Sequence, residues 1–395
     1  MSRYHSYINT AVRILNDYDP NEPFAVWLKK FFSASKKYGS KDRKQIAHLC
    51  YCYFRLGKAL QQTPTEVRIL IALYLCSDSD NPVLEALRPD LNKAVGSPLK
   101  VKIATLTDFT ISPIDIFPWI DQLSALDDPE GFIFSHFVQP DLFLRAREEY
   151  SEIIEQQLIE NNIPYEKNQS SFTLSNAINI DTIVQINKEA VIQDISSQRI
   201  GELLEVVKKE IDFPQLAVWD CCAASGGKSI LAYDVFDNID LTVSDIRESI
   251  IINLEKRFAL AGITKYNRLV ADLTKQSGEL FSSQFDLIIA DVPCSGSGTW
   301  GRTPEQLFHF NEEKINIYSS LQKKITANVV QYLKAGGYLL YITCSVFKRE
   351  NEENVENLLN NFPLTLVKMQ MIEGYEEKAD SMFAALLKLN EPDQL

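Results

Sequence analysis

The stretch that decides the fold is Phe285-Asp286-Leu287-Ile288-Ile289-Ala290-Asp291-Val292-Pro293-Cys294-Ser295-Gly296-Ser297-Gly298. Its first half is apolar and contains β-branched residues, which predicts a buried strand of a parallel sheet. A second apolar run, Tyr338 to Ile342, leads in the same way into Thr343-Cys344-Ser345. Ligands bind in the crevice outside the carboxyl ends of the strands in such sheets. The two thiols are therefore expected at neighbouring strand ends, where they indicate chemistry more than packing.

Other apolar segments end at acidic residues, namely Asp220, Asp245 and Asp272. Helical patterns separate these segments, so strand and helix alternate along the chain. This alternation predicts an α/β fold with a doubly wound, Rossmann-like parallel sheet. The apolar patterns of Leu364 to Met369 and of Met382 to Leu389 predict an antiparallel pair that closes the sheet.

Three domains are predicted along the 395 residues, in keeping with the two to three that this length implies. Residues 1–125 have helical spacing interrupted by proline and glycine, which predicts an all-helical N-terminal domain. Residues 126–200 predict a small α/β module of the RNA-recognition type, with one of its short strands at Ile183 to Ile186. A helix is predicted from about residue 193 to residue 209. Residues 201–395 are predicted to form the Rossmann-like catalytic domain.

Charge is distributed unevenly along the chain, whose net value is −13. Residues 1–60 hold eleven lysines and arginines against four acidic residues, a balance of +7, which leaves −20 for the remainder. A basic region attached to an acidic body is compatible with docking on a polyanion, although a charge run is also typical of a solvated helix face. Both interpretations of this region remain open.

The seven cysteines form neither a C-x-x-C pair nor a regular framework. This pattern predicts a reduced, cytoplasmic protein without disulfides and without a structural metal. The longest apolar run, Ile69 to Cys76, is far shorter than the roughly 20 residues that span a bilayer. The chain is therefore expected to be neither inserted in a membrane nor exported.

A turn of small residues follows the strand that ends at Asp220, and it leads into a helix at Lys228. It is not a nucleotide-triphosphate loop, because that motif needs glycine where this chain has Cys222. The four strand-end acids, with Asp245, Asp272 and Asp291 among them, suit a cationic adenosyl ligand better than a pyrophosphate. S-adenosylmethionine, a sulfonium, fits that description. The alternative is that each aspartate only caps a helix.

Together, Asp220 to Ser229, Asp245, Asp272, the run from Asp291 to Gly296 and Thr343-Cys344-Ser345 resemble the RNA cytosine-5 methyltransferases of the Sun/Fmu family, of the bacterial rRNA type. The resemblance spans roughly residues 138–390 and departs from the family pattern at Ser225, Val292, Gly301 and Ser381. It implies S-adenosylmethionine as cofactor. The implied cofactor-binding residues are Cys222, Ala223, Ala224, Ser225, Gly226, Gly227, Lys228, Asp245, Asp272 and Asp291.

Two cysteines suit this chemistry because carbon 5 of cytosine is a poor nucleophile until a thiolate adds to carbon 6. By resemblance, Cys344 is the attacking nucleophile and Cys294 assists release of the product. We also hypothesise that Asp291 hydrogen-bonds the base at N3 and at its amine, and that Lys228 orients Asp291. The alternative for both cysteines is burial in the core, where free cysteine is common.

The expected substrate is RNA, with ribosomal RNA favoured by the helical N-terminal domain. Within that domain Tyr38 to Arg43 resembles the antitermination-factor type of RNA-binding domain. The target cytosine must be single-stranded or flipped out, since Cys344 cannot reach a stacked base. Trp300 and Arg302 are predicted to contact it. The chain is expected to act as a monomer, and two other interpretations remain open: a catalytically idle RNA-binding or ribosome-assembly factor, and a tRNA methyltransferase.

Overall fold

The computed structural model describes residues 3–35, 37–211, 214–236, 238–275 and 280–391. These residues form two compact units. The helical unit comprises Met1–Asp121, Asp127–Gln139 and Thr299–Glu312. The sheet unit comprises Gln122–Leu126, Pro140–Gly298 and Glu313–Leu395. The small module and the catalytic sheet thus fall in one unit, and the predicted boundary between residues 200 and 201 stays a prediction.

The helical unit confirms the predicted all-helical N-terminal region. Several of its short helices begin with proline at the first helical position, where the missing N–H costs nothing. Its helices are α1 (Arg3–Asp17), α2 (Phe24–Ala34), α3 (Ser40–Arg55), α4 (Thr65–Cys76), α5 (Pro82–Leu87), α6 (Pro89–Asn92), α7 (Leu99–Thr105), α8 (Pro113–Ile116), α9 (Pro129–Ser135) and, from the late segment, α15 (Pro304–His309).

Residues 299–312 belong to the helical unit although they follow the Cys294 loop in sequence. The buried Arg55 guanidinium holds this segment by donating to the carbonyl of Gly301 at 2.9 Å and to that of His136 at 2.6 Å. A buried charge satisfied by carbonyl oxygens fixes the backbone around it. The residues after the Cys294 loop therefore have a packing role in the helical unit.

The smaller sheet of the sheet unit is antiparallel, with strand order β2-β3-β1-β4. Its strands are β1 (Leu142–Ala146), β2 (Glu166–Asn168), β3 (Ser171–Leu174) and β4 (Ala190–Ile192). Helix α10 (Ser151–Glu160) follows β1 and buries Ile154 and Leu158. The strand predicted at Ile183 to Ile186 is wrong: a 3₁₀ turn at Ile180–Thr182 leads into a loop, and the strand that pairs with β1 comes later, as β4.

The larger sheet has seven strands in the order β10-β11-β9-β8-β5-β6-β7. Strands β5 to β9 pair in parallel, and β11 pairs antiparallel with β9 and with β10. This arrangement confirms the predicted doubly wound sheet and its closing antiparallel pair. The strands are β5 (Leu216–Asp220), β6 (Ile239–Asp245), β7 (Asn267–Val270), β8 (Phe285–Asp291), β9 (Leu333–Thr343), β10 (Leu364–Ile372) and β11 (Met382–Leu389).

Helices cover both faces of this sheet, and two apolar layers pack between helices and strands. The helix predicted from about residue 193 to 209 is divided in two near Ile200, and Asp194 caps its first part by accepting a hydrogen bond from the Ser196 N–H at 2.9 Å. The helices are α11 (Ile195–Arg199), α12 (Gly201–Glu210), α13 (Gly227–Val235), α14 (Glu248–Ala261), α16 (Glu313–Val330) and α17 (Glu352–Asn361). None of the helices in the described part of the chain has the length and apolarity to cross a bilayer.

Candidate active site

The order of the strands reverses between β5 and β8, and a pocket opens there at the carboxyl ends of the parallel strands. The pocket has a volume of about 520 Å³. Seven residues predicted from the sequence line it: Cys222, Ala224, Asp245, Asp272, Asp291, Cys294 and Cys344. The structure thus brings five of the ten predicted cofactor residues and both predicted catalytic cysteines into one cavity.

The two thiols are in contact, with 3.1 Å between the Sγ atoms of Cys294 and Cys344. The backbone around them is tightly packed: the Gly298 N–H donates to the Cys344 carbonyl at 2.9 Å, and a Cβ at Gly298 would lie 1.9 Å from the carbonyl oxygen of Ser381. Interaction with the Cys344 thiol, together with burial, raises the pKa of Cys294. Cys294 therefore stays protonated at neutral pH.

Asp291 ends β8 beside the cysteines and pairs with Lys228, at 3.1 Å between Oδ2 and Nζ. The buried ammonium of Lys228 also donates to Ser197 Oγ at 2.7 Å. Ser197 in turn accepts from the Gln193 amide at 3.2 Å. Lys228 is held from two sides, so it can fix the orientation of the Asp291 carboxylate in the way the sequence predicts.

The loop after β5 has an unusual backbone. Ala224 has a φ of 45°, in the left-handed region that a residue with a side chain rarely adopts. Gly226 has a φ of 83°, and a Cβ there would lie 2.7 Å from the ring of Phe258. Only glycine fits at that position. The Ala224 N–H donates to Asp245 at 3.2 Å, which ties the loop to the end of β6.

Asp245 and Asp272 line the side of the pocket opposite the cysteines' strand ends. Asp245 accepts from the backbone N–H of Arg247 at 2.9 Å and from its guanidinium at 3.1 Å. Asp272 accepts from the Thr274 hydroxyl at 2.6 Å and pairs with Lys275 at 3.0 Å. The Thr274 and Lys275 contacts lower the pKa of Asp272. Asp272 therefore presents a negative charge to the pocket at neutral pH.

Asp220 lies beneath the pocket and is fully buried. Its Oδ2 accepts from the Ser229 hydroxyl at 2.6 Å, and its Oδ1 has no hydrogen-bond partner among the described residues. Burial raises the pKa of Asp220 to about 7, against the opposing effect of the Ser229 hydrogen bond. The nearby carboxylate of Asp291 raises it further.

Not every predicted residue reaches the cavity. Ala223 is part of the core, and Ser225 is turned outward, where its hydroxyl accepts from Arg257 at 2.8 Å. Gly226 and Gly227 shape the turn and begin α13. Cys221, the neighbour of Cys222, is buried.

The predicted substrate contacts lie in the helical unit. Trp300 is 1% exposed, and its ring packs against those of Phe310 and Phe117 at centroid distances of 4.7 and 5.8 Å. The stacking role predicted for Trp300 is inconsistent with this burial, because a base cannot stack on an enclosed ring. Arg302 is half-buried in the same segment, and its predicted RNA contact stays a prediction.

Two residues of the site were missed from the sequence. Tyr318 on α16 lines the pocket beside Cys294. Glu350 is fully buried and hydrogen-bonds both cysteine loops. Glu350 lies two residues before α17, which starts at Glu352. A carboxylate six residues after Cys344 could have been noticed, but nothing in a single sequence distinguishes it from the neighbouring surface glutamates.

Among the residues that the structure describes, no group of three or more His, Cys, Asp and Glu side chains could hold a metal ion.

The fold is shared with solved structures. The chain superposes on the crystal structure of PH0851 with a TM-score of 0.69 at 19% identity, covering 95% of this chain and 96% of that one. It also superposes on NSun6 from Pyrococcus horikoshii, with a TM-score of 0.59 at 12% identity over 70% of this chain and 97% of that one. These likenesses confirm the predicted fold.

Residues 204–389, a little under half of the chain, match the family model described as 16S rRNA methyltransferase RsmB/F, so this segment is similar to that family. It is 28% identical over 246 residues to ribosomal RNA small subunit methyltransferase B of Proteus mirabilis, covering 59% of this chain and 55% of the relative. It is 24% identical over 261 residues to tRNA (cytosine(49)-C(5))-methyltransferase of Pyrococcus abyssi, covering 64% and 81%. The chain spans about half the length of the rRNA relatives, 43% for that of Xanthomonas campestris pv. campestris and 55% for that of Proteus mirabilis.

The raised pKa of Asp220 makes a pH-dependent prediction. The unfolded chain releases this proton near pH 4, whereas the folded protein keeps it up to about pH 7. The stabilising contribution of the protonated carboxyl is therefore complete below about pH 4 and is lost as the pH rises through about 7. Asp220→Asn keeps the hydrogen bond from Ser229 but cannot ionise. We therefore expect the variant to lack this decrease in the free energy of unfolding, which amounts to up to about 4 kcal/mol in the wild type.

The measurement is the free energy of unfolding in urea at about pH 5 and about pH 8 for the wild type, Asp220→Asn and the exposed Asp240→Asn as control. Equal pH dependence in all three proteins would contradict an elevated pKa at Asp220.

Proposed function

We propose that the chain is an S-adenosylmethionine-dependent methyltransferase that forms 5-methylcytosine in RNA through a covalent cysteine adduct. The observation that carries this proposal is the pair of thiols in contact at 3.1 Å, in a cavity that also holds Asp245, Asp272 and Asp291. The family model matched by residues 204–389 supports it.

The pocket suits the cofactor in size and in chemistry. Its volume of about 520 Å³ is within the range of small-molecule sites. Asp245 and Asp272 would hold the adenosyl part, and a ribose hydroxyl at Asp245 would take the place of the exposed Arg247 guanidinium. Carboxylates on three sides favour a cationic ligand. When bound, S-adenosylmethionine supplies the methyl group from its sulfonium centre.

The two cysteines have different roles in the proposed reaction at the base. The Cys344 thiolate adds to carbon 6 of cytosine, which makes carbon 5 nucleophilic enough to take the methyl group. Release then requires that a base, supplied by solvent water, take the proton from carbon 5. The electrons of that C–H bond re-form the double bond to carbon 6 as the Cys344 sulfur leaves as a thiolate. Cys294 assists this release. The raised pKa of Cys294 supports the assignment, since a protonated thiol is a poor competitor for carbon 6.

Asp291 is proposed to bind the base at N3 and at its amine, where charge develops when sulfur adds to carbon 6. Its side chain is 29% exposed toward the pocket and is paired with the buried Lys228. Lys228, fixed by Ser197, acts as the positioning group for the carboxylate. Tyr318 would border the same base from α16.

Ribosomal RNA is the proposed substrate class, supported by the matched family model and by the rRNA methyltransferases among the relatives. Transfer RNA is the second candidate, favoured by the Pyrococcus abyssi relative, of which the match covers 81%. In either case the target cytosine is single-stranded or flipped out, the enzyme is a monomer, and the location is the cytoplasm. Docking of RNA on residues 1–60 also stays a prediction; Lys36, one of its cations, lies outside the described residues.

Trapping tests the proposed roles of the two cysteines. Wild type, Cys294→Ala and Cys344→Ala are incubated with S-adenosylmethionine and total RNA, and denaturing gels are searched for a protein–RNA adduct. We expect Cys294→Ala to accumulate the adduct, because release is blocked. Cys344→Ala should give neither adduct nor 5-methylcytosine. Sequencing the trapped RNA separates the rRNA and tRNA candidates.

Cys50→Ala, at a buried cysteine of the helical unit, serves as the matched control and should behave like wild type. If no variant forms an adduct or methylates RNA although all bind the cofactor, the idle RNA-binding factor becomes the better proposal.

A pair of aspartate variants separates binding of the base from binding of the cofactor. We expect Asp291→Ala to lower kcat by about 10²-fold or more, as is typical when a group that stabilises developing charge is removed. Asp272→Ala, at the other side of the pocket, should instead raise KM for S-adenosylmethionine with little change in kcat. Steady-state methylation at varied cofactor concentration measures both. Near-normal turnover by Asp291→Ala would refute its proposed role.

A further inference from the structure

Glu350 joins the two cysteine loops, although it is not one of the residues predicted from the sequence. Its Oε1 accepts from the hydroxyl of Ser345, the residue after Cys344, at 2.9 Å. Its Oε2 accepts from the backbone N–H of Ser295, the residue after Cys294, at 2.8 Å. The two loops are fifty residues apart in sequence, and one fully buried carboxylate bridges them.

A second buried side chain supports the bridge from behind. The Gln322 amide donates to Glu350 Oε2 at 3.0 Å and to the carbonyl of Pro293 at 2.9 Å. Asn354 donates to the carbonyl oxygen of Gln322 at 2.6 Å, which fixes the orientation of the amide. Both oxygens of Glu350 are therefore satisfied, and the Cys294 loop is held on both sides of the cysteine, at Pro293 and at Ser295.

A buried carboxylate without a paired cation is costly to fold, and burial accordingly raises the pKa of Glu350 against the effect of its hydrogen bonds. The basic residues between Cys344 and Glu350 do not offset this cost, because Lys348 and Arg349 are exposed and Arg349 pairs with Glu353 at 3.6 Å. An apolar side chain of similar size would avoid this cost, but it would take the acceptor away from the Ser295 N–H and the Gln322 amide. The burial of Glu350 is therefore better explained by the two cysteine loops that it joins than by a contribution to the stability of the fold.

We propose that Glu350 is a positioning residue that sets the separation of the Cys294 and Cys344 thiols by bridging their loops. The inference rests on the proposed function, in which Cys344 bonds to carbon 6 of a cytosine and Cys294 assists release of the same base. Misplacement of a reacting group by about 1 Å can lower a rate by 10²-fold. The length of the side chain, more than its charge, performs this role, since each oxygen serves a different loop.

Two substitutions separate length from charge. Glu350→Gln keeps the length: its amide oxygen can accept from Ser295, and its NH₂ can donate to the Ser345 hydroxyl, which reorients. Glu350→Asp keeps the charge but is one methylene shorter, so it cannot contact both loops. Glu353→Asp, at a partly exposed glutamate in the first turn of α17, is the matched control.

The first readout is the thiol pair itself, without RNA. Dibromobimane links two neighbouring thiols by displacement of both bromides, and peptide mass spectrometry measures the Cys294–Cys344 cross-link, with Cys294→Ala as the blank. We expect Glu350→Gln and Glu353→Asp to cross-link within about threefold of wild type, and Glu350→Asp to lose about tenfold or more. Circular dichroism and cofactor affinity check that each variant is folded.

The second readout is methylation of RNA, where Glu350→Asp should lower kcat by about tenfold or more without changing KM for the cofactor. The cross-link requires no RNA, so it tests the positioning role of Glu350 even if the protein does not methylate RNA. Failure of the inference and failure of the proposed function can therefore be told apart.

Two outcomes would overturn the inference. The first is a Glu350→Asp variant that cross-links like wild type. The second is a Glu350→Gln variant that loses as much of the cross-link as Glu350→Asp does, because charge would then be the important property. If Glu350→Asp does not fold, Ser345→Ala removes the hydroxyl that donates to Oε1, together with its contacts to Ser297 and to the Phe347 N–H, and it carries the same expectation of a weaker cross-link.

Discussion

The parallel pairing of β8 with β9 is the constraint on which the site depends. It sets Asp291 opposite Ile342, so the two cysteine loops leave neighbouring strands at the same edge of the sheet. A slip of one residue would reverse the direction of every following side chain. The register resists such a slip, because residues 285–290 are all buried and the apolar side chains among them pack into the apolar layers on both faces. The pairing therefore brings the two cysteine loops together, and the proposed Glu350 bridge sets the separation of their thiols within that frame.

The site also concentrates buried negative charge, which the rest of the fold must stabilise. Asp220 lies under the pocket with one oxygen unpartnered among the described residues, and Glu350 lies under the cysteine loops. Neither has a paired cation in the contacts that hold it, and burial raises the pKa of both. Groups placed at such cost are typical of functional sites. The strongly apolar sheet around them supplies the stability that makes their burial possible.

The sequence predicts the elements of the fold well where the signal is local and strong. Apolar runs ending in aspartate or cysteine identify β5, β8 and β9, since a strand buried on both faces needs a continuous apolar run. Short elements are less certain. Ile183 to Ile186 has the composition of a strand, yet the chain turns there, because pairing with β1 is decided by tertiary contacts that composition does not encode.

The residues of the site also fall into those that the sequence predicts and those that it does not. The thiols and strand-end acids could be predicted because they follow directly from strands, and the topology brings strand ends together. Glu350 and Tyr318 could not, because their roles arise from packing of α16 and the segment after β9 against the loops. The burial of Trp300 could not be predicted either. An aromatic residue in a loop has the same appearance in sequence whether it is exposed or enclosed by other rings.

The most direct measurement is the identity of the residue that bonds to the base. Wild-type protein is incubated with S-adenosylmethionine and RNA transcribed with 5-fluorocytidine, whose fluorine cannot leave carbon 5 as a proton does, and the adduct is digested and mapped by mass spectrometry. The predicted result is a methylated fluorocytidine nucleotide on the peptide that contains Cys344. A nucleotide attached to the Cys294 peptide, or methylated RNA with no adduct on either cysteine, would contradict covalent catalysis by Cys344.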